Sequence, residues 1–193
     1  MAVKSIMIVG VGGQGTLLAS RILGSVFTAR GLDVKVSEVH GMSQRGGSVV
    51  TYVKYGERVY SPVVDAGEAD YILAFERLEA ARALPCLKKG GRLIVNDQRM
   101  DPMPVITGAA RYPENIIENI KALGADVTAV DALALAGQAG SAKSVNVVLI
   151  GVLSTMMSDI PDEAWHEAMR EAIKPKLLEM NEKAFELGRA AAK

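Results

Sequence analysis

The feature that most constrains this chain is a cluster of glycines that follows a short apolar run near the amino terminus. Residues 3–9 are mostly apolar with little alternation, which is typical of a strand covered on both faces. Gly10, Gly12 and Gly15 then follow in the G-x-G-x-x-G spacing, which lets the backbone turn sharply and approach a ligand closely. The pattern predicts a central strand that leads into a tight turn and then a helix.

The helix after this turn is expected to help form a binding site. Apolar residues recur at helical spacing from Thr16 onward. The first amides of a helix have no partner within it, so they favour an anion such as a phosphate at the turn. The candidate cofactor-binding residues of the turn are Gly10, Gly12, Gly13, Gln14 and Gly15. The alternative is that the glycines only allow close packing of the strand and the helix.

A second candidate site lies in residues 40–48, a polar and glycine-rich stretch that is longer than an ordinary connection. Arg45 can pair bidentately with a phosphate or carboxylate, and the two glycines after it would let backbone amides turn towards the same group. His40, Ser43 and Gln44 supply further hydrogen-bonding groups. Alternatively, the glycine pair only bends the chain into the next strand, and Arg45 is solvated or paired with a carboxylate.

Glu38 lies in the next predicted strand, residues 32–39, which completes a β-α-β unit. It follows Gly15 by 23 positions, close to the place where dinucleotide sites carry a carboxylate that holds a ribose hydroxyl. An independent NAD(P)-binding oxidoreductase is therefore an alternative interpretation, although no catalytic acid-base pair is evident. A third interpretation is a non-catalytic assembly module.

The remaining residues alternate short apolar runs with helical patterns, as in an α/β fold. Residues 49–55 and 58–60 predict the two strands of a hairpin around Tyr55-Gly56-Glu57. Residues 100–113 are expected to be irregular, with a short strand at 105–106. Further strands are predicted at residues 70–75, 92–97 and 126–130, and further helices at 76–87, 113–123, 132–139 and 143–157 and from 161 and 175 onward.

The predicted fold is a Rossmann-like, mostly parallel sheet with helices on both faces, an inserted β-hairpin and a C-terminal helical extension. We expect a single domain over residues 1–193, with the extension at 159–193, because this length suffices for one substantial core. Glu76, Asn96 and Asp97 should share the carboxyl edge of the sheet with the glycine turn, where capping is the commoner role.

Composition argues against several classes of protein. Lys plus Arg and Asp plus Glu each total 22, so there is no overall basic field for nucleic acid. The single cysteine, Cys86, cannot form an internal disulfide or hold an iron-sulfur cluster, which needs about four ligands. The longest apolar stretch, residues 145–157, is shorter than the roughly 20 residues that span a bilayer. Without a signal pattern, we expect a cytoplasmic protein with no membrane contact.

Three motifs, at residues 10–15, 38–48 and 143–146, give the chain a resemblance to the gamma-type subunit of 2-oxoacid:ferredoxin oxidoreductases. The resemblance covers nearly the whole chain and is strongest to the small subunit of the indolepyruvate branch. It implies oxidative decarboxylation, in which an aryl 2-oxoacid, coenzyme A and oxidised ferredoxin give an acyl-CoA, carbon dioxide and reduced ferredoxin. Asn146, inside the third motif, is expected to be buried, and we favour a structural role for it over a catalytic one.

The same resemblance implies a division of labour between subunits. Thiamine diphosphate and the iron-sulfur clusters would sit on a large partner subunit, through which ferredoxin is reduced. This chain would bind no cofactor alone, and the glycine turn and residues 40–48 would face coenzyme A at a shared site. The single cysteine agrees with that division, as does the absence of a Gly-Asp-Gly segment for a thiamine diphosphate metal ion.

Overall fold

The structure is a computed structural model that describes residues 2–41 and 46–192. Its strands are β1 (Lys4–Val11), β2 (Asp33–His40), β3 (Ser48–Gly56), β4 (Ala69–Ala74), β5 (Leu87–Asn96) and β6 (Asp126–Val130). They form a 6-stranded sheet in the order β2-β3-β1-β4-β5-β6. Every one of these strands except β3 runs in the same direction, because β3 pairs antiparallel with both β1 and β2 while the other pairs are parallel.

Helices cover both faces of this sheet. They are α1 (Thr16–Ala29), α2 (Arg77–Ala83), α3 (Met103–Ile106), α4 (Ile116–Ala122), α5 (Ala132–Ala139), α6 (Val145–Ser154), α7 (Asp162–Ala172) and α8 (Pro175–Ala191). The predicted α/β class and mostly parallel sheet are therefore confirmed. None of the helices in the described part of the chain is both long and apolar enough to cross a membrane.

Strand β1 separates two hydrophobic cores. Ile6 and Ile8 point to the core that includes α1, α5, α6, α7 and α8, whereas Met7 and Val9 point to the core that includes α2 and α4. Successive side chains of a strand face opposite sides, so a continuous apolar run serves both cores. This explains why residues 3–9 show no polar alternation and why the glycine turn leaves the middle of the sheet.

The predicted hairpin around Gly56 is wrong, and a hairpin formed by β2 and β3 is present instead. Residues 58–60 form no strand; instead β3 pairs along its length with β2, from Asp33 opposite Gly56 to His40 opposite Val49. The amide of Val59 donates to the Asp33 carboxylate at 2.8 Å, which holds residues 58–60 beside the start of β2 rather than in the sheet. The β-α-β unit is likewise modified, because β3 separates β1 from β2.

Smaller differences from the predicted elements follow from local turns. Residues 105–106 belong to the short helix α3 and not to a strand, with Pro104 in its first turn. Helix α4 begins at Ile116, three residues later than predicted from Pro113, because Asn115 at its N-cap has a left-handed φ of 54°. Strand β5 begins at Leu87, five residues before the predicted start at Arg92. Its pairing with β4 shifts register between Leu87 and Arg92.

The C-terminal helices pack onto the same core as α1. Helices α6 and α8 cross at two glycines: a Cβ on Gly151 would lie 2.1 Å from the carbonyl oxygen of Phe185, and one on Gly188 would lie 2.0 Å from that of Val148. Trp165 of α7 and Phe185 of α8 are fully buried in this core. Helix α6 is therefore held tightly by its neighbour along its length.

This helix crossing gives a stability prediction. Replacing Gly188 by Ala should lower the free energy of unfolding by about 3 kcal/mol or more, because the added methyl group overlaps backbone that cannot easily move. Gly24→Ala is the matched control, since Gly24 lies inside α1 and a Cβ added there would meet nothing within 4 Å. It should raise the stability by about 0.5–1 kcal/mol. Urea unfolding measures both, and equal effects would contradict the packing.

Candidate functional site

The glycine turn and the end of the polar stretch lie against each other. The amide of Gly12 donates to the carbonyl oxygen of Gly47 at 2.8 Å, and the amide of Gly46 donates to the carbonyl oxygen of Gly12 at 3.4 Å. These bonds continue the β1-β3 pairing, whose last pair is Val11 and Ser48. The glycine turn and residues 46–47 of the second candidate stretch are therefore adjacent in the structure. Ser43, Gln44 and Arg45 lie outside the described residues, so their predicted roles stay predictions.

The turn itself exposes backbone donors. Gly13 and Gly15 have left-handed φ angles of 103° and 87°, which favour glycine. The amides of Gly13, Gly15, Thr16 and Leu17 donate to no other residue that the structure describes. Three of these amides lie at the start of α1, where the helix dipole is positive. They are therefore available to hydrogen-bond acceptors of a ligand.

An open cavity of 410 Å³ lies in front of these amides. Its lining residues are Gly12, Gly13, Gly15, Thr16, Leu17, Glu38, His40 and Val49. His40 is exposed, and its Nδ1 lies 3.1 Å from the carbonyl oxygen of Gly41. The structure thus brings His40 next to the glycine turn, as the predicted site requires.

Glu38 also lines this cavity but differs from the carboxylate of a dinucleotide site. Its Oε2 accepts from the hydroxyl of Thr16 at 3.4 Å and from that of Thr51 at 3.3 Å. In a dinucleotide-binding fold the strand that carries the acidic residue lies next to the first strand, whereas here β3 lies between them. Glu38 adds negative charge to one side of the cavity, so the cavity offers both acceptors and donors to a ligand.

Gln14 and Gly10 support the turn from within. The Oε1 of Gln14 accepts from the amide of Val11 at 2.7 Å, and its Nε2 donates to the carbonyl oxygen of Phe75 at 3.0 Å. A Cβ on Gly10 would lie 2.8 Å from Gln14 Oε1 and 3.0 Å from the Cβ of Phe75. Both residues are predicted to bind a cofactor, and that role stays a prediction. In the structure the Gln14 side-chain amide is hydrogen-bonded within the protein, and Gly10 makes room for it.

The polar residues at the ends of β4 and β5 are caps, as their commoner role suggests. Glu76 is 1% exposed, and its Oε2 accepts from the amides of Leu78 at 2.7 Å and Glu79 at 3.1 Å at the start of α2. Asn96, fully buried, donates to Phe75 O at 3.1 Å and accepts from the amide of Ala132 at 3.1 Å at the start of α5. These residues therefore fix the edge beside the turn.

The other oxygen of Glu76 accepts from the amide of Met100 at 3.2 Å and from the hydroxyl of Tyr112. Burial and the nearby Glu76 carboxylate together raise the pKa of Tyr112. The phenol therefore keeps its proton and remains a donor to Glu76. This bond ties the segment after β5 to the start of α2.

A second group at this edge was not found by sequence analysis. Glu79 is 4% exposed, and its carboxylate accepts from the Ser48 hydroxyl at 2.5 Å and from Arg82 Nη1 at 2.6 Å. The group lines a second cavity of 360 Å³, beside the exposed side chains of Met103 and Ile106. Because Ser48 follows Gly47, Glu79 holds the end of the polar stretch from the opposite face. Glu79 follows Glu76 by three residues, and this spacing predicts helix capping. The spacing therefore gives no indication of the contact between Glu79 and Ser48.

Comparison with known families identifies the class. A family model described as pyruvate ferredoxin/flavodoxin oxidoreductase matches residues 5–191. The chain belongs to this family of oxidoreductases, as one of its gamma-type subunits. It is 45% identical over 195 residues to indolepyruvate oxidoreductase subunit IorB of Thermococcus kodakarensis, which covers 98% of this chain and 96% of that one. The family predicted from the three motifs is therefore confirmed.

Solved structures show the same fold. The gamma subunit of a keto/oxoacid ferredoxin oxidoreductase from Geobacter sulfurreducens matches with a TM-score of 0.73 and 24% identity over 98% of both chains. A 2-oxoglutarate:ferredoxin oxidoreductase from Magnetococcus marinus matches with a TM-score of 0.76 and 20% identity over 100% of this chain and 31% of that one. That structure holds 2-oxoglutarate, coenzyme A and succinyl-CoA.

The internal role of Gln14 gives a second prediction. Gln14→Glu should lower the free energy of unfolding by about 1–3 kcal/mol, because it removes the donor to Phe75 O and places a carboxylate against that oxygen. Gln138→Glu is the control, because it is the same chemical change at a residue that is exposed on α5. Urea unfolding of both variants at neutral pH tests this. A Gln14 variant as stable as the control would show that the turn does not need the hydrogen bond from Gln14 to Phe75.

Proposed function

We propose that this chain is the small subunit of an indolepyruvate:ferredoxin oxidoreductase and forms the coenzyme A side of an active site shared with a large subunit. In this proposal residues 1–193 act as one gamma-type domain, with residues 159–193 as its C-terminal helical extension. The likeness to subunit IorB over nearly the whole chain supports the choice of an aryl 2-oxoacid. The coenzyme A held by the Magnetococcus marinus enzyme supports the choice of acyl acceptor.

One observation carries the proposal: the glycine turn and residues 46–47 join by hydrogen bonds and leave free amides on an open cavity. Coenzyme A offers phosphate, carbonyl and hydroxyl oxygens that accept from such amides, and hydroxyl and amide groups that donate to Glu38. The cavity is open on one side, so a second protein surface would have to close it before water is excluded. A shared site meets that requirement.

The roles within the proposed site follow from the residue types. Gly12 to Gly15 would contribute backbone amides, while His40, Ser43, Gln44 and Arg45 would add donors and positive charge on the same side. Gly10 and Gln14 would act from beneath by keeping the turn in shape. Thiamine diphosphate and iron-sulfur clusters on the large partner would supply decarboxylation and electron transfer to ferredoxin. This chain would bind coenzyme A and orient its thiol, and it would have no activity alone.

Arg45 gives the most direct test. Arg45→Ala in the complex with the large subunit should raise the KM for coenzyme A roughly tenfold to a hundredfold, as expected for the loss of a charge-assisted hydrogen bond. The KM for indolepyruvate and the assembly of the complex should not change. Reduction of a viologen dye by the co-expressed subunits provides the assay.

Arg58→Ala is the matched control for this variant, because Arg58 follows the opposite end of β3 and lies over the Tyr60 ring. It should leave both constants unchanged. An Arg45 variant with an unchanged KM for coenzyme A would remove Arg45 from the site.

Ligand binding separates the proposal from the two other interpretations. In thermal shift titrations the chain alone should respond weakly or not at all to NADH, NADPH and coenzyme A, and the complex should respond to coenzyme A. This outcome is expected because the cavity is open on one side in the chain alone. A shift of the chain alone with NADH or NADPH would instead favour a dinucleotide-binding oxidoreductase, and silence of both samples would favour an assembly module.

A further inference from the structure

Asn146 connects the start of α6 with the glycine turn. It is 3% exposed, and its Nδ2 donates to the carbonyl oxygen of Gly15 at 3.1 Å. Its Oδ1 accepts from the amide of Val147 at 2.9 Å, so both ends of the side-chain amide are hydrogen-bonded. A buried amide that is satisfied at both ends holds one orientation, because any rotation would leave a buried polar atom without a partner.

The carbonyl of Gly15 is a sensitive place for this bond. It also accepts from the amides of Leu18 at 3.2 Å and Ala19 at 3.3 Å, so it is the acceptor from which α1 begins. Gly15 has a left-handed φ of 87°, and a Cβ there would lie 2.6 Å from Asn146 Nδ2. Gly15 and Asn146 therefore fit only as a pair, with the Asn146 amide in the space that a side chain would take.

The hydrogen bond from Asn146 to the Gly15 carbonyl also restricts the side of the turn that faces the cavity, because the peptide group is planar. The carbonyl of Gly15 and the amide of Thr16 belong to the same rigid peptide unit and point in opposite directions. A bond that fixes the Gly15 oxygen therefore also fixes the direction of the Thr16 amide. That amide donates to no other described residue, and Thr16 lines the 410 Å³ cavity.

Helix α6 provides a stable base for Asn146. Its residues from Val145 to Ser154 are all buried. The glycine crossing with α8 brings the Cβ positions of Gly151 and Gly188 within 2.1 Å and 2.0 Å of opposing carbonyl oxygens. A side chain on the first turn of such a helix has little freedom to shift, so it can hold a loop that glycines make flexible.

We infer that Asn146 is a positioning residue for coenzyme A, acting through the Gly15-Thr16 peptide to aim the free Thr16 amide into the cavity. The inference rests on the proposed function, because it assumes that coenzyme A is the ligand of this turn. It assigns Asn146 an effect on one substrate only. A purely structural Asn146 would affect stability without selecting between the two substrates.

Asn146→Asp in the complex with the large subunit is the variant of choice. It conserves the side-chain volume but replaces the donor by an oxygen that repels the Gly15 carbonyl. The KM for coenzyme A should rise roughly tenfold, which corresponds to about 1.4 kcal/mol. The KM for the 2-oxoacid and the kcat at saturating coenzyme A should stay within about twofold of the original values.

Asn181→Asp is the matched control. Asn181 is 5% exposed on α8, and its Nδ2 donates to a backbone carbonyl, that of Leu177, at 2.7 Å. Asn181→Asp is therefore the same chemical change at a residue of similar burial, and Asn181 is far from the turn in the sequence. It should lower the melting temperature and leave the KM for coenzyme A unchanged. Hydrogen exchange of the chain alone adds a measurement without assembly: Asn146→Asp should speed exchange of the Leu18 and Ala19 amides, which donate to the Gly15 carbonyl, and Asn181→Asp should not.

The outcomes separate the inference from the proposed function. If Asn146→Asp leaves the KM for coenzyme A unchanged while Arg45→Ala raises it, the positioning role is wrong and the proposed function stands. If neither variant changes it, coenzyme A binds elsewhere and both proposals fail. If Asn146→Asp does not assemble, the exchange measurement decides, and unchanged exchange of the Leu18 and Ala19 amides would overturn the inference. Asn146→Ser, which keeps a shorter donor, should give a smaller increase in KM than Asn146→Asp.

Discussion

The two backbone hydrogen bonds between Gly12 and residues 46–47 are the interaction on which the site depends. They extend the antiparallel pairing of β1 and β3 beyond the end of the sheet and into the glycine turn. Because β1 is central, its carboxyl end is fixed by both cores, and the polar stretch is held where it returns to the sheet. A loop that meets the turn through backbone bonds needs no particular side chain at the contact.

The same pairing changes what the glycine motif can bind. Insertion of β3 moves β2 one strand outward, so Glu38 reaches the cavity across β3 and is held by the hydroxyls of Thr16 and Thr51. The spacing of Glu38 after the glycines agrees with a dinucleotide site, but the topology does not. The glycine spacing therefore indicates a tight turn between a strand and a helix. Which ligand such a turn binds depends on the strands that lie beside it.

The sequence predicted the parts of the structure that depend on local pattern. The central strand, the glycine turn, the start of α1 and the limits of α5 agree with the structure because periodicity, glycine and helix signals act over a few residues. The pairing of β3 with β2 was missed, because residues 58–60 have a composition that suits a strand. Their position is fixed by the hydrogen bond from Val59 to Asp33, which is distant in sequence and gives no local signal. Glu79 and Gln14 were missed as supports for a similar reason. Their partners are Ser48 and Phe75, and no spacing rule connects them.

Three amide side chains lie beneath the turn, and together they explain how it can be both glycine-rich and ordered. Gln14 bonds to Phe75, Asn96 bonds to the same carbonyl oxygen, and Asn146 bonds to Gly15. Each glycine adds conformational freedom that the folded state has to restrict, and buried amides do so with directional bonds and without charge. Charged groups in the same positions would add a fixed field to the cavity. A neutral support leaves the electrostatics of the cavity to its lining residues and to whatever surface closes it.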